Sequence, residues 1–348
     1  MKILLVNKYL YRKGGAETYF IKLGEYLKSL GNEVEYFGMA DERNCVENRV
    51  EAYTENIDFH KKSLKHITYP FKIIYSVNAR KQIRKVLSDF KPDVVHLNNF
   101  NYQLTPSIIY EIKKHNIPIV YTAHDVQLVC PNHKLKNDYT DGLCRKCDGG
   151  KYFECVKNNC VHSSKIRSIL GAVEAWYYKL RHTYKMIDLT VCPSEFMEKE
   201  ISRNDDINGR TLTMYNFIDE IKPLGAECEN YVLYFGRYSE EKGISNLVKA
   251  AKKLSNIPFV FAGKGELENE VNSADNIKNV GFKTGDELRN IIEKALFTVL
   301  PAEWSENCPF SVMESQSLMT PVLGAKIGGI PELINDGKTG ILFESGNL

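Results

Sequence analysis

The sequence predicts an α/β protein made of two parallel-sheet domains in tandem. Three observations carry this. The chain opens on strand, loop, helix and strand: "KILLVN", "YLYRKGGAE", "TYFIKLGEYLKSLG" and "EVEYF". Apolar runs then alternate with helical patterns through the first 218 residues, and at Tyr231 the alternation restarts. Short continuous apolar strands separated by helices are the mark of a parallel sheet covered on both faces. With 348 residues, 43% of them apolar, the chain can bury two such cores. The domains are assigned to 1–218 and 219–348, with the linker near 217–230.

Taken in order, the first half continues with "PDVVHLNN" and "IPIVYTAHD", each preceded by a helical pattern ending in lysines. "MIDLTVCPSEF", a helix and "TLTMYNFID" follow. The second half reads "YVLYFGRYSEEKG", a helix to Leu254, "PFVFAGKGE", a short polar helix, "IKNVGF" and "LFTVLPAEW". A helix started by Pro309, then "TPVLGAK" and "TGILFE", complete it. In such sheets ligands bind beyond the carboxyl ends of the strands. Chemistry is therefore expected in the loops after "VN", "TAHD", "YFGR", "FAGKG" and "PAEW".

"SENCPFSVMES" (305–315) spaces Glu306 and Glu314 eight positions apart around Pro309. Proline belongs in the first turn of a helix, so the helix should begin near Cys308–Pro309. Glu306 then lies ahead of it and Glu314 about a turn and a half inside. A helix start offers unpaired N–H groups and a positive dipole end to a phosphate or a sugar hydroxyl array. By themselves the two glutamates read better as a first-turn side chain balancing the dipole and a solvated helix side chain than as a ligand site.

"YFGRYSEEKG" presents Arg237, a planar fork, and Lys242, a point charge, a pair suited to a diphosphate. Gly263, Gly265 and Glu266 in "AGKGE" permit close backbone approach by a base or ribose, or simply a tight turn. Gly14–Gly15 admit the same two readings, a phosphate contact or a turn.

Together, Arg237-x4-Lys242, Gly263-x-Gly265-Glu266, Glu306-x7-Glu314 and "GGIPELI" (328–334), all at strand ends, resemble the retaining glycosyltransferases of glycosyltransferase family 4. "GGAE" (14–17), "TAHD" (122–125), "CPSEF" (192–196) and "NFID" (216–219) agree, so the resemblance covers essentially the whole chain. It implies the GT-B fold, two Rossmann-like domains facing a cleft, and transfer of a sugar from a nucleotide-sugar donor to a glycan or lipid-linked saccharide, as in cell-surface polysaccharide synthesis. It further implies that Glu306 meets hydroxyls of the donor sugar and that Glu314 holds the ribose. Backbone amides of Asn307, Cys308, Pro309 and Phe310 flank the sugar and phosphate in that scheme, proline supplying only its carbonyl and ring. Arg237 and Lys242 would neutralise the diphosphate, Gly15 would approach it, and His124 would stand beside the reacting centre. No catalytic metal is expected. A nucleotide-sugar 2-epimerase of the same fold and an inactive scaffold are the rival readings.

Three departures from the family pattern stand out. Asn98 takes a position where many relatives carry histidine, and Ser315 replaces a common alanine. Relatives also continue past the strand matching "TGILFE", so a shortened C-terminus is expected.

Nine cysteines in a chain without a signal-like start read as thiols or metal ligands. Five of them, Cys130, Cys144, Cys147, Cys155 and Cys160, fall in a cysteine-rich insertion at about 130–160. They read as a structural zinc site, with His133 and His162 as alternates, or as a loop of free thiols. The net charge of +2 conceals a basic first half and an acidic second half. Residues 58–85 hold eight basic side chains against one acid. That segment is expected to meet an anionic membrane surface, placing a cytosolic protein at the inner face of the membrane. Nucleic acid is not expected, because the acidic half opposes it. Residues 162–187 carry a Trp–Tyr stripe at helical spacing, expected to be core.

Overall fold

The computed structural model describes residues 1–56, 69–137 and 142–347. It divides the chain into two units: Met1–Pro193 with Met197–Met214, and Ser194–Phe196 with Tyr215–Leu348.

In the first unit the elements run β1 (Lys2–Val6), α1 (Gly15–Ser29), β2 (Glu33–Phe37), α2 (Tyr69–Ile74), α3 (Val77–Phe90), β3 (Val94–Leu97), α4 (Ser107–Lys114) and β4 (Ile119–Thr122). They continue with α5 (Phe153–Lys157), α6 (Lys165–Leu180), β5 (Leu189–Cys192), α7 (Glu195–Ile201) and β6 (Thr211–Thr213). All pairings are parallel, in the order β2-β1-β3-β4-β5-β6. The apolar run of β1 explains its central place. Leu4 and Val6 enter one buried cluster with Phe37 and Val95, while Ile3 and Leu5 enter another with Phe20 and Tyr36. Successive side chains of a strand point to opposite faces, so a strand apolar at every position needs cover on both. Burying each such Leu or Val contributes about 1.5–3 kcal/mol.

The second unit repeats the plan: β7 (Val232–Tyr238), α8 (Ile244–Lys253), β8 (Phe259–Gly265), α9 (Glu268–Val271), β9 (Ile277–Asn279) and α10 (Gly285–Lys294). Then come β10 (Phe297–Leu300), α11 (Phe310–Ser317), β11 (Val322–Ala325), α12 (Ile330–Leu333) and β12 (Gly340–Phe343). The order is β12-β11-β10-β7-β8-β9, again all parallel. Strand order reverses between β1 and β3 in one sheet and between β7 and β10 in the other. Those two switch points are where open α/β sheets present their ligand crevices.

Three local readings are corrected. Helix α1 starts at Gly15, three residues earlier than "TYFIKLG" suggested, so Gly15 is its first residue. Helix α10, absent from the sequence-based order, buries Ile292 and packs Leu288 and Ile291 against the core. The Trp–Tyr stripe of 162–187 is core only in part: Tyr184 and Ile187 are buried and Tyr177 packs against the core cluster, but the stretch on α6 is turned outward. Tyr178, Ala172 and Ser168 are buried, whereas Trp176, Ile169, Val173 and Leu180 are exposed. The helix rests on the small-residue side, where Ser168 and Ala172 allow close approach, and turns the larger apolar side outward.

Candidate active site

Arg237 ends β7, and the turn after it delivers Lys242 at the start of α8. Lys242 ion-pairs with Glu306, whose Oε1 also accepts a hydrogen bond from Trp304 Nε1 at 2.7 Å. Arg237 pairs with Glu241 at 2.5 Å. Asn246 Nδ2 donates to Glu303 Oε1 at 2.7 Å, and the Glu303 amide donates to the Glu241 carbonyl at 3.0 Å. The loops after β7 and β10 are thus stitched together at the switch point of the second sheet. Glu306 is buried and Lys242 nearly so, which makes their pairing obligatory in the absence of another counter-charge.

The "GGIPELI" segment supports that loop from below. The Gly329 amide donates to the Glu306 carbonyl at 2.7 Å. Gly328 has φ +60°, and a Cβ there would stand 2.2 Å from the Glu306 carbonyl oxygen, so only glycine fits. Helix α11 begins as Pro309 predicted, with Pro309 as its N-cap and no side chain capping it. Glu314 lies half-buried inside the helix. Cys308 is buried. Its sulfur accepts the Asn216 amide at 3.4 Å and its carbonyl accepts Asn216 Nδ2 at 2.9 Å. Burial pushes the Cys308 thiol up to about 11. Ser315, in place of alanine, bonds Thr298 within the core at 2.9 Å.

Gly263 has a structural reason of its own: a Cβ would lie 1.9 Å from the Gly236 carbonyl oxygen on β7. Close packing of β8 on β7 therefore requires glycine there before any ligand is considered. Glu266 is exposed beyond the end of β8.

In the first unit, Gly15 is exposed at the start of α1, where Gly14 contributes no side-chain cap. His124 follows β4. Its Nε2 lies 2.8 Å from Asn98 Oδ1, so Nε2–H donates and the lone pair resides on Nδ1. The ring meets Tyr19 edge-on at 5.1 Å between centroids. Burial holds His124 down to about 4, and His96, at 2.7 Å from Thr122 Oγ1, is also lowered to about 4 by burial. Both imidazoles are neutral near pH 7.

A second polar cluster surrounds the switch point of this sheet. Lys8 Nζ donates to Asn101 Oδ1 at 3.0 Å and sits over the rings of Tyr9 and Tyr102 at 4.9 and 5.0 Å. His133 stacks on Tyr102 at 5.8 Å and lies 3.4 Å from Asp125. Burial lowers the Lys8 ammonium pKa. Burial alone would lower His133, but the neighbouring Asp125 carboxylate brings it above its ordinary value. Burial raises Glu174 to about 7. The sequence pointed to the loops after "VN" and "TAHD" but selected only Gly15 and His124 there. Lys8 and Asp125 sit at those two strand ends, and Asn98 and Asn101 follow the neighbouring β3, which was the available signal; His133 was read only as an alternate zinc ligand, and Glu174, on α6, had no signal. Trp304 and Glu303, in "PAEW", were likewise passed over.

The five clustered cysteines line one small enclosed cavity, and all nine cysteines of the chain are free thiols. Cys144 Sγ accepts Asn137 Nδ2 at 3.0 Å, and the Cys130 thiol donates to Asn132 Oδ1 at 2.9 Å. Arg145 and Arg203 anchor the loop, through Glu200 and Asp148 respectively. Among the described residues no three His, Cys, Asp or Glu side chains stand at metal-ligand geometry.

The basic segment 58–85 lies in part outside the described residues. Of its described members, Arg80 and Arg84 are engaged by Glu111 at 2.8 and 2.6 Å, and Glu111 is held down to about 2, chiefly by its hydrogen bond from Arg84. No described helix is long and apolar enough to cross a membrane.

Two parallel six-stranded α/β units with these strand orders define the GT-B glycosyltransferase class. The chain belongs to glycosyltransferase family 4: the model of that family matches residues 13–221, and the model described as glycosyl transferases group 1 matches residues 217–348. It is 26% identical over 357 residues to an uncharacterized 42.6 kDa protein in the cps region of Klebsiella pneumoniae, covering 96% of this chain and 87% of that one. Among solved structures, Anabaena Alr3699/HepE in complex with UDP superposes with a TM-score of 0.66 at 17% identity, over 100% of this chain and 86% of that one. Sucrose-phosphate synthase from Thermosynechococcus elongatus gives 0.70 at 16% identity, over 99% and 86%.

Proposed function

We propose that this glycosyltransferase moves a hexose from a nucleotide-sugar donor to a glycan or lipid-linked saccharide, with retention of configuration, in polysaccharide synthesis. The observation that carries the proposal is the Lys242–Glu306–Trp304 cluster at the β7/β10 switch point, beside Arg237. Cleavage of a glycosyl–phosphate bond builds negative charge on the leaving diphosphate. Cations fixed before reaction stabilise that charge without reorganisation. Lys242 is held at the strand end by Glu306, and a diphosphate oxygen would compete with that carboxylate for its ammonium. Glu306, released, would accept hydrogen bonds from donor sugar hydroxyls, with Trp304 still orienting one oxygen. Arg237 supplies a second cation, and Glu314 would hold the ribose from within α11. His124, held neutral by burial, would serve beside the reacting centre as a hydrogen-bonding group and not as a cation. These groups supply the charge balance that a metal supplies elsewhere, so no catalytic metal is invoked. The UDP held by the Anabaena structure and the cps setting of the Klebsiella relative support the donor class and the pathway.

For the cysteine cluster we propose a structural zinc that draws four of the five thiols inward as thiolates. Its support is the shared cavity and the Asn137 donor already aimed at Cys144 sulfur.

The experiment is thermal denaturation against UDP-, GDP-, ADP- and dTDP-sugars, with Glu314→Ala in parallel. A ligand that binds only the folded state raises the melting temperature by mass action. A shift with one nucleotide series, lost in the variant, identifies the donor. NMR of the product's anomeric carbon then reads retention directly. Absence of a shift with every donor sinks the proposal.

A further inference from the structure

The loop between β1 and α1, "KYLYRKG" (8–14), brings two cations onto one aromatic ring. Lys8 Nζ lies 4.9 Å and Lys13 Nζ 3.9 Å from the centre of the Tyr9 ring. Arg12 and Arg43 nearby are paired, with Glu25 at 3.5 Å and Asp41 at 2.8 Å. Among the described residues, neither lysine has a carboxylate within ion-pair distance. Lys8 is nevertheless fixed in place. Its amide donates to the Asn99 carbonyl at 2.7 Å, and its carbonyl accepts the Met39 amide at 3.1 Å. Its ammonium donates to Asn101 Oδ1 at 3.0 Å and lies 5.0 Å from the centre of the Tyr102 ring. An ammonium has three N–H donors, so two remain for a ligand. Tyr102 holds φ +58°, a strained backbone for a bulky residue, of the kind that folds retain at functional sites. Burial lowers the Lys8 pKa, and the Lys13 ammonium lowers it further, against the pull of Tyr9, Asp125 and Glu17. Two ammoniums gathered on one ring repel each other, and an anion between them relieves that repulsion.

We propose that Lys8 and Lys13 bind the carboxylate of an acidic sugar on the acceptor, a hexuronate, with Tyr9 and Tyr102 against its ring. The proposal rests on the reading of this chain as a glycosyltransferase and names the class of saccharide that it extends. Charge decides between a carboxylate and a phosphate. His133 and Asp125 face each other at 3.4 Å, which leaves Lys8 and Lys13 to Glu17, two positive charges against one negative. Glu174, raised to about 7 by burial, adds little negative charge below that pH. One carboxylate cancels the excess; a phosphate monoester or a diphosphate would overshoot it. The aromatic walls suit the rest of the ligand. A pyranose offers an apolar C–H face, and ligand sites pair such walls with a few fixed polar groups. Asn101 holds the Lys8 head and is tied in turn to His133 at 3.4 Å, so the cation is set before a ligand arrives. All of these residues belong to the first unit, and the subsite is complete within it.

The test is saturation-transfer NMR on the full chain with methyl α-glucuronoside and methyl α-glucoside, which share a ring and differ at C6. The expected result is transfer to the glucuronoside and little to the glucoside. Lys8→Met and Lys13→Gln should each weaken glucuronoside binding about tenfold, the scale of one charge-assisted hydrogen bond. Lys13 is exposed, so Lys13→Gln should keep the wild-type melting temperature and reads the site even if Lys8→Met disturbs the fold. Equal transfer to the two glycosides overturns the proposal, as does glucuronoside binding that Lys13→Gln and Lys8→Met both leave unchanged. Inorganic phosphate that displaces the glucuronoside at equal or lower concentration also overturns it, assigning the lysines to a phosphate group. The thermal shift given by the nucleotide-sugar donor should survive in Lys13→Gln; its loss there would give the lysines to the donor and overturn the acceptor assignment. Absence of any donor shift in the wild type sinks the transferase reading alone, because the comparison of glycosides needs no donor.

Discussion

Lys242 and Glu306 form an ion pair that joins the turn after β7 to the loop after β10, with Trp304 donating to the same carboxylate at 2.7 Å. The two residues are 64 positions apart in sequence and meet only because their strands are neighbours in the sheet. In this state each neutralises the other. In the proposed reaction a diphosphate would compete with the carboxylate for Lys242 and leave Glu306 to sugar hydroxyls.

Lys242→Met should therefore lower kcat by about 10²- to 10³-fold, the scale of losing one preorganised charge-stabilising donor. Glu306→Gln should raise the donor KM as well as lower kcat, because it weakens sugar contacts and frees Lys242. The double variant should fall well short of the summed single losses, as expected for side chains in contact. Steady-state kinetics with the donor found by thermal shift reads all three, and strict additivity would show that the two act independently.

Asn98 positions His124 by accepting its Nε2–H at 2.8 Å. Asn98→Ala should reduce kcat about tenfold with a smaller change in donor KM, as expected when a hydrogen bond that fixes a reacting group is lost. Asn98→Asp preserves the contact but adds a carboxylate, which raises the histidine pKa from about 4 toward its ordinary range. Wild-type kcat/KM should show no histidine limb at mildly acid pH, whereas the aspartate variant should acquire one. Identical pH profiles would remove Asn98 from this role.

The alternation of strands and helices was legible because buried parallel strands are apolar runs, as "KILLV" and "YVLYF" are, and Pro309 marked the start of α11 for a plain steric reason. Helix α10 escaped because its first turn, Gly285–Asp286–Glu287, is polar and its apolar positions are few. Lys8 and His133 were illegible as partners of one cluster, since they meet at Tyr102 only because β1, β3 and β4 lie side by side, which no local pattern states. The α6 stripe was misjudged for a different reason. Periodicity shows which residues share a face but not what covers that face, and here the covered face is the one bearing Ser168 and Ala172.

Glu174 offers a stability test with a defined sign. Burial raises its folded pKa to about 7, above the ordinary glutamate value near 4.5. Its contribution is fully present below about pH 4.5 and is lost as pH rises through 7, where the folded state must hold a poorly solvated carboxylate. Glu174→Gln should thus stabilise the protein at pH 8 and change nothing at pH 4.5. The difference has an upper bound of about 3 kcal/mol, reduced to roughly 1 kcal/mol by solvent on its partly exposed side. Chemical denaturation at the two pH values measures it, and an equal effect at both would mean that Glu174 is not the titrating group.

The cysteine cavity sets the last prediction. Cys147 is pushed up to about 12 by burial and by the nearby Cys130, Cys160 and Cys144, so these thiols cannot ionise together without a cation between them. A divalent metal reverses that relation, because thiolate ligands around zinc are compensated by its charge. Protein purified without chelator should then carry about one zinc per chain by elemental analysis, and a strong chelator should lower its melting temperature. Cys147→Ser should remove the metal and reproduce the chelator's effect, while Cys45→Ser, at an exposed thiol outside the cavity, should do neither. If the isolated protein is metal-free and the chelator without effect, the five thiols act as a packed apolar plug, a role free cysteine fills well when buried. Cys147→Ser would then cost stability through burial of its hydroxyl alone, with nothing added or removed by zinc.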